Sequence, residues 1–125
     1  MSETDRAIER AKREIMKAVN EKVIDAALQI SQTVILSTPV DTGRARANWQ
    51  ANIGEATTST IDELDDSGLG RIGKNTQIIL QKGDDPTQEV HITNNLSYIG
   101  KLNEGSSKQA EAGFVERAVE SARDI

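Results

Sequence analysis

An apolar stripe with the period of an α-helix runs through the first 36 residues and constrains the fold more than any other feature. Its members recur every three or four residues: Ile8, Ala11, Ile15, Val19, Val23, Ala27, Ile30 and Val34. Such spacing places side chains along one side of a helix. Ser2 and Asp5 have the spacing of a capping box, and Pro39 excludes the preceding residue from helical geometry. The sequence therefore predicts one long helix over residues 2–36.

The two halves of this predicted helix differ in apolar content. Apolar residues are denser over 23–36 than before them, so we expect the second half to pack on the domain and the first half to be freer. One interpretation is an ordinary amphipathic helix that packs on its own domain. The alternative is that the polar first half projects and contacts a neighbouring subunit.

Two later segments have the period of a β-strand. Ala47, Trp49, Ala51 and Ile53 alternate with polar residues, which predicts a strand with one apolar face and one polar face that includes Asn48. Val90 and Ile92 alternate in the same way and predict a second strand. Helices are expected over residues 71–82, with a strand over 77–81 as the alternative, and over 98–103 and 112–123. This order predicts an α+β fold, in which a long N-terminal helix and short C-terminal helices pack on a small antiparallel sheet.

The length of 125 residues predicts a single domain over 1–125. Hydrophobic residues make up 36% of the chain, and there is one Trp, one Tyr and one Phe, so we expect a thin core that takes some stability from neighbouring subunits. Residues 54–70 are rich in Thr, Ser, Gly and acid without a sustained period. We interpret them as a flexible loop that orders on assembly.

Charge and composition argue against several classes of protein. A net charge of −5 disfavours a nucleic-acid binder that neutralises phosphates. Four cations gather on the first helix, but acids interleave with them: Arg6, Arg10, Arg13 and Lys17, with Glu9, Glu14 and Glu21. Cysteine is absent, and no apolar run approaches the roughly 20 residues of a membrane span. The charged start of the chain lacks an apolar signal core, so we expect a cytoplasmic product.

Residue patterns that could carry catalysis or cofactor binding are weak. Residues 68–73 (GLGRIG) match a dinucleotide fingerprint, but acids rather than a strand precede them. The acids over 62–66 lack the ligand spacing of a calcium loop and are expected to form a solvated loop. His91 is the only histidine and is expected to be an exposed strand residue. We therefore expect no enzyme, no metal site and no cofactor.

Two blocks rich in turn-forming residues carry a family resemblance. The first is residues 38–44 (TPVDTGR), followed by Trp49. The second is 94–99 (NNLSYI) with 102–110 (LNEGSSKQA) and 113–115 (GFV). In sequence and order, the blocks resemble the signatures of the minor tail, tail-completion or head-tail joining (neck) proteins of long-tailed bacteriophages. Ser97 and Glu111 stand where that family has proline, which relaxes two turns and removes no functional group.

The resemblance implies a structural protein of the phage particle, located at the neck or upper tail end and made in the host bacterial cytoplasm. Copies would form a homo-oligomeric ring that contacts connector, neck and tail proteins, with no membrane and no specific nucleic acid as partner. The acidic charge suits the wall of a DNA channel. An assembly factor absent from the finished particle is the alternative.

The two blocks also supply candidate residues for contacts between subunits. These candidates are Asp41, Thr42, Gly43, Arg44, Arg46, Trp49, Asn95, Tyr98, Asn103, Glu104, Gly105 and Ser106. We expect Arg44 and Arg46 to face acid on a neighbouring subunit, with Glu104 as one candidate. The competing interpretation is that both blocks are internal corners of the fold.

Overall fold

A computed structural model describes residues 1–105 and 111–125 of the chain. Within them the elements are α1 (Glu3–Ser37), α2 (Arg44–Ala47), β1 (Gln50–Ile53), α3 (Leu69–Leu80), β2 (Val90–Thr93), α4 (Ile99–Asn103) and α5 (Phe114–Ser121). β1 and β2 pair antiparallel, with Gln50 opposite Thr93 and Ile53 opposite Val90. The predicted α+β fold is confirmed: a long N-terminal helix and short C-terminal helices accompany a two-stranded antiparallel sheet.

Local signals set both ends of α1. The Ser2 hydroxyl accepts a hydrogen bond from the Asp5 amide at 3.0 Å, and the Asp5 carboxylate accepts one from the Ser2 amide at 3.3 Å. This is the predicted capping box. At the other end, the buried Thr38 hydroxyl donates to the Val34 carbonyl, and Pro39 follows. The helix ends at Ser37, one residue beyond the prediction.

Helix α1 is buried along only part of its length. Its buried residues begin at Asn20 and continue through Ala27, Ser31, Val34 and Ile35. Residues 3–19, which we call the free half, expose large apolar side chains instead: Ile8, Ile15, Met16 and Val19. The prediction that the second half packs on the domain while the first half does not is confirmed.

The core is small and lies between α1 and the remaining elements. One cluster joins α1 to α5 and to Trp49, which immediately precedes β1, through Val34, Ile35, Trp49, Phe114 and Ala118. A second cluster joins α1 to β1 and α3, through Ala27, Ala51 and Ile79. Trp49 therefore anchors the sheet to the long helix, and α1 is the element on which the rest of the domain is assembled.

The first predicted strand is wrong at its beginning. Residues 44–47 form the short helix α2, and β1 starts only at Gln50. Gly43 has a φ of +83°, and its carbonyl accepts from the Ala47 amide at 3.1 Å, so the chain makes a helical turn before it extends. Ala47, Asn48 and Trp49 are buried in succession, a result that strict alternation excludes. Asn48, predicted on the polar face, is fully buried.

Helix α3 (Leu69–Leu80) covers most of residues 71–82, so the predicted helix is confirmed over the alternative strand. Its buried Asn75 connects three elements: the side-chain NH₂ donates to the Ser31 hydroxyl at 3.1 Å and to the Trp49 carbonyl at 2.9 Å. The side-chain oxygen accepts from the Ala51 amide at 3.2 Å. A buried polar side chain is tolerated when its hydrogen bonds are satisfied, and here they tie α3 to α1 and β1.

Residues 68–73, the weak dinucleotide match, open α3 after a loop, so the strand that such a fingerprint requires does not precede them. None of the helices in the described residues combines the length and apolar character that a bilayer span needs.

Candidate subunit interface

The two blocks that carry the family resemblance lie side by side in the structure. They line one surface groove of about 250 Å³, formed by Pro39, Val40, Asp41, Thr42, Gly43 and Arg44 from the first block, the adjacent Ala45, and Tyr98 and Leu102 from the second. Asn94 joins the blocks directly, since its side-chain NH₂ donates to the Ala45 carbonyl at 3.0 Å. Segments about 50 residues apart in sequence therefore form one surface.

Trp49 and Arg46 form hydrogen bonds with residues at the C-terminal end of α1, next to the first block. The indole NH of Trp49 donates to the buried Thr38 hydroxyl at 2.9 Å. The Arg46 guanidinium donates to the carbonyls of Leu36 at 3.0 Å, Thr38 at 2.9 Å and Asp66 at 2.9 Å. It thereby neutralises main-chain oxygens at the end of α1. Arg46, expected to face a neighbouring subunit, is thus engaged by its own chain.

Gly43 has a conformational and a steric reason to be glycine. Its φ is +83°, and a Cβ at this position would lie 2.7 Å from main-chain atoms of Asp65 and Asp66. The Gly43 carbonyl also accepts from the Asp65 amide at 3.0 Å. The glycine therefore allows residues 54–68 to pass directly over the corner.

The outer rim of the groove carries the exposed candidates. Asp41 and Thr42 are exposed, and the Thr42 hydroxyl accepts from the Arg44 amide at 3.3 Å. Arg44 lies 3.8 Å from Asp62 of its own chain, a contact whose carboxylate is fully solvated. Tyr98 is exposed over 37% of its surface on the opposite rim. These side chains could reach a neighbouring molecule.

The remaining candidates of the second block mostly organise their own chain. Asn95 donates to the carbonyls of Thr57 at 3.0 Å and Ser59 at 3.1 Å. Asn103 donates to both carboxylate oxygens of Glu116 at 2.9 Å, and accepts from the Val115 amide at 2.9 Å. The hydrogen bond from Asn103 lowers the pKa of Glu116. Asn103 thus joins α4 to the start of α5.

Two of the last three candidates, Glu104 and Gly105, directly follow α4. Glu104 is exposed, and its pairing with Arg44 of a neighbour stays a prediction. Gly105 has a φ of +94° and packs close to Ala112. Ser106 lies outside the described residues, as do the other residues of 106–110.

Residues 54–68 are attached to the domain by side chains that the sequence analysis did not single out. The Asn48 side chain donates to the Ile61 carbonyl at 3.0 Å and accepts from the Ile61 amide at 2.9 Å. Asp65 accepts from the amides of Gly68 at 3.1 Å and Arg71 at 2.8 Å. For Asp65, the sequence signal was its position shortly before α3, where an acidic side chain commonly caps the first amides of a helix. Mobility of this segment stays a prediction.

The charges near the start of α3 form a local network. Glu63 lies 2.8 Å from the Lys74 ammonium and 3.1 Å from the Arg71 guanidinium, and the Lys74 hydrogen bond lowers its pKa. Burial would raise the pKa of Asp65, but the amide hydrogen bonds outweigh burial and lower it. Within 1–105 and 111–125, no group of acids and histidine is placed to hold a metal ion.

His91 does not match its expected exposure. Its side chain is 29% exposed, and its Nε2 atom lies 3.1 Å from the Glu89 carboxylate. In the two-stranded sheet His91 lies opposite Asn52. The histidine is therefore partly buried, not exposed.

Comparisons with protein-family models, with curated proteins and with solved structures found no match to this chain.

Proposed function

We propose that this chain is a structural protein of a tailed bacteriophage particle, located at the head-tail junction or upper tail end. It acts in tail completion and head-tail joining by packing into a ring with copies of itself and with connector, neck and tail proteins. Its role is mechanical rather than catalytic. Loops and the free half of α1 take up their final contacts on assembly.

One observation carries the proposal: the two blocks that resemble the phage signatures meet at a single exposed groove. Blocks that served only as separate internal corners would have no need to share a surface. Here internal residues such as Arg46 and Trp49 build the corner, while Asp41, Thr42 and Tyr98 remain on its rim. A rigid corner with an exposed rim is suited to subunit packing.

The free half of α1 is a second supporting feature. A helix that leaves its domain with Ile8, Ile15 and Val19 at least 48% exposed offers apolar surface that a solitary protein has no reason to present. Burial of such surface against other subunits would also supplement a core built from two small clusters.

Electron microscopy of particles from a phage that lacks this gene, beside the wild type, tests the location. Filled heads with unattached tails, or tails with an abnormal upper end, are expected. Normal infectious particles would remove the structural role. A complementing copy that carries Tyr98→Ala, at the residue that precedes α4, should restore joining poorly. A copy with Lys101→Ala, at an exposed residue of α4 outside the groove lining, should restore it fully.

An assembly factor that leaves the finished particle is the second candidate function. Quantitative mass spectrometry of purified particles separates the two candidates. A constant, multiple copy number of the chain per particle supports the ring. Its absence from particles, combined with failed joining in the deletion, supports the assembly factor.

A further inference from the structure

One side of the free half of α1 exposes large apolar side chains. Ile8, Ile15 and Val19 are 48%, 64% and 50% exposed. Their spacing of seven and four residues places them on one side of the helix, and Lys12 and Lys22 occupy the same side at matching steps. We call this side, with Ile8, Lys12, Ile15, Val19 and Lys22, the donor stripe. Lys12 approaches Glu9 of its own helix at 3.6 Å but stays 66% exposed, so it remains accessible to another acid.

The donor stripe does not point toward the body of its own domain. The buried side of α1, marked by Asn20, Ala27 and Ser31, lies roughly 100–160° around the helix from Ile8 and Ile15 at 100° per residue. Extending the domain's own packing along the helix would therefore not cover the stripe. A different molecule must cover it if it is to be buried.

Near the C-terminal end of α1, the chain carries a second surface that has the opposite charge and also exposes apolar side chains. Residues 61–69, which we call the acceptor segment, expose Leu64 over 64% and Leu69 over 67% of their surfaces. Asp62 and Asp66 are exposed between and beside them. Asp65 is held inward by amide hydrogen bonds, so the turn that presents the two leucines is structured.

The two surfaces cannot meet within one copy. The acceptor segment is attached to the end of α1, because Arg46 donates to both the Leu36 and Asp66 carbonyls. Ile15 and Leu36 are separated by 21 residues of the same helix, which is about 32 Å at 1.5 Å per residue. A continuous helix cannot fold back over that distance, so donor and acceptor must come from different molecules.

Charge distribution favours a second copy as the occupant. Residues 1–22 contain six basic and five acidic residues, whereas the remainder contains nine basic and fifteen acidic residues. The segment that bears the donor stripe is thus net positive, on a chain that is otherwise strongly negative. The donor stripe combines aliphatic side chains with two lysines, and the acceptor segment combines two exposed leucines with acidic side chains. The two surfaces are therefore complementary in charge and both partly apolar.

We propose that the donor stripe of one copy docks on the acceptor segment of the next copy, giving a head-to-tail contact. Ile8, Ile15 and Val19 pack on Leu64 and Leu69, while Lys12 and Lys22 lie near Asp62 and Asp66. Each copy then offers one donor and one acceptor. Such a heterologous contact generates a ring when the rotation between copies closes. The contact deepens the proposed ring but does not require a phage origin.

Complementation between two variants of the full chain tests this arrangement. A donor-deficient chain carries Ile8→Ser and Ile15→Ser, and an acceptor-deficient chain carries Leu64→Ser and Leu69→Ser; all four side chains are exposed, so both variants should fold. In sedimentation velocity we expect wild type to form oligomers with rising concentration and each variant alone to stay monomeric. An equimolar mixture should form a heterodimer and nothing larger, because only one working donor meets one working acceptor.

Other outcomes overturn the proposal. If wild type stays monomeric at millimolar concentration, the contact does not exist. Self-association of the acceptor-deficient chain alone would show that helices pair with each other symmetrically. Neither result bears on particle location, which the gene deletion tests separately.

A charge exchange gives an independent test of the register. Lys12→Glu with Lys22→Glu should weaken association at least roughly fivefold, and Asp62→Lys with Asp66→Lys in the same chain should restore it. The matched control is Arg6→Glu with Arg10→Glu, which alters net charge equally on the opposite side of the helix. Equal weakening by the control pair, or no rescue by the exchange, would contradict the proposed register.

Discussion

Asn20 and Lys82, 62 residues apart in sequence, meet through a hydrogen bond from the buried Lys82 ammonium to the Asn20 side-chain oxygen. Lys82 also donates to the Asp85 carbonyl, and the Asn20 NH₂ donates to the Gly83 carbonyl at 2.7 Å. Both residues are 3% exposed. This is the point along α1 where packing on the domain begins, so the pair anchors the turn after α3 to the helix.

Removing the acceptor should destabilise the domain. In Asn20→Ala the buried ammonium loses one hydrogen-bond partner, and we expect a loss of about 2–4 kcal/mol in the free energy of unfolding. Lys82→Met keeps the aliphatic stem and removes the charge, so it should cost less than Asn20→Ala. Urea denaturation of both variants and of the double variant measures the coupling. Additive losses would show that the two side chains do not depend on each other.

Gly43 and Gly54 form a matched pair for separating backbone strain from steric overlap. Their φ values are +83° and +90°, but a Cβ meets Asp65 main-chain atoms at 2.7 Å at Gly43 and nothing within 4 Å at Gly54. We expect Gly54→Ala to cost about 1 kcal/mol and Gly43→Ala about 3 kcal/mol or more. Thermal or urea unfolding measures both. Similar losses would mean that residues 54–68 shift easily away from the corner.

Asn48 should control the order of the segment that follows β1. Asn48→Ala removes both hydrogen bonds to Ile61, so we expect faster amide exchange at Ile61 and faster proteolysis within residues 54–68. The loss of stability should be about 1–2 kcal/mol. Gln29→Ala, whose partly buried side chain donates to the Thr33 hydroxyl at 3.1 Å within α1, serves as the control. Unchanged exchange in Asn48→Ala would show that other contacts hold the segment.

Asp65 should make stability depend on pH in the acid range. Its pKa is lowered in the folded state because amide hydrogen bonds to the carboxylate outweigh the effect of burial. The stabilisation is therefore present above the unfolded-state pKa of about 3.9 and is lost as pH falls through the lower folded-state value. We expect Asp65→Asn to cost about 1 kcal/mol at neutral pH, with a gap to wild type that narrows as pH falls below about 3.9 and through the folded-state pKa. A gap that persists in strong acid would contradict this account.

Prediction from sequence succeeded where a structure depends on neighbouring residues. The capping box of Ser2 and Asp5, the stop at Pro39 and the extent of α1 are such features, as is strand β2. The weaker packing of the free half also followed from apolar density. The strand predicted from Ala47 failed because small buried residues fit a helical turn and a strand equally well.

The candidate site was predictable only in part. The two blocks were found from their residues, but their convergence on one groove depends on how α2 and α4 pack. The internal role of Arg46 was missed, because an arginine beside an exposed corner is normally a surface residue. Its carbonyl partners come from residues 36, 38 and 66, and no local pattern indicates that they converge.

The sequence by itself determined the class of fold and the length of α1, since these follow from spacing and capping between near neighbours. Only the tertiary structure decided which polar side chains are buried. Asn48, Asn75 and Lys82 look like surface residues in the sequence. They are buried because partners distant along the chain satisfy their hydrogen bonds, and those partners become neighbours only when the domain folds.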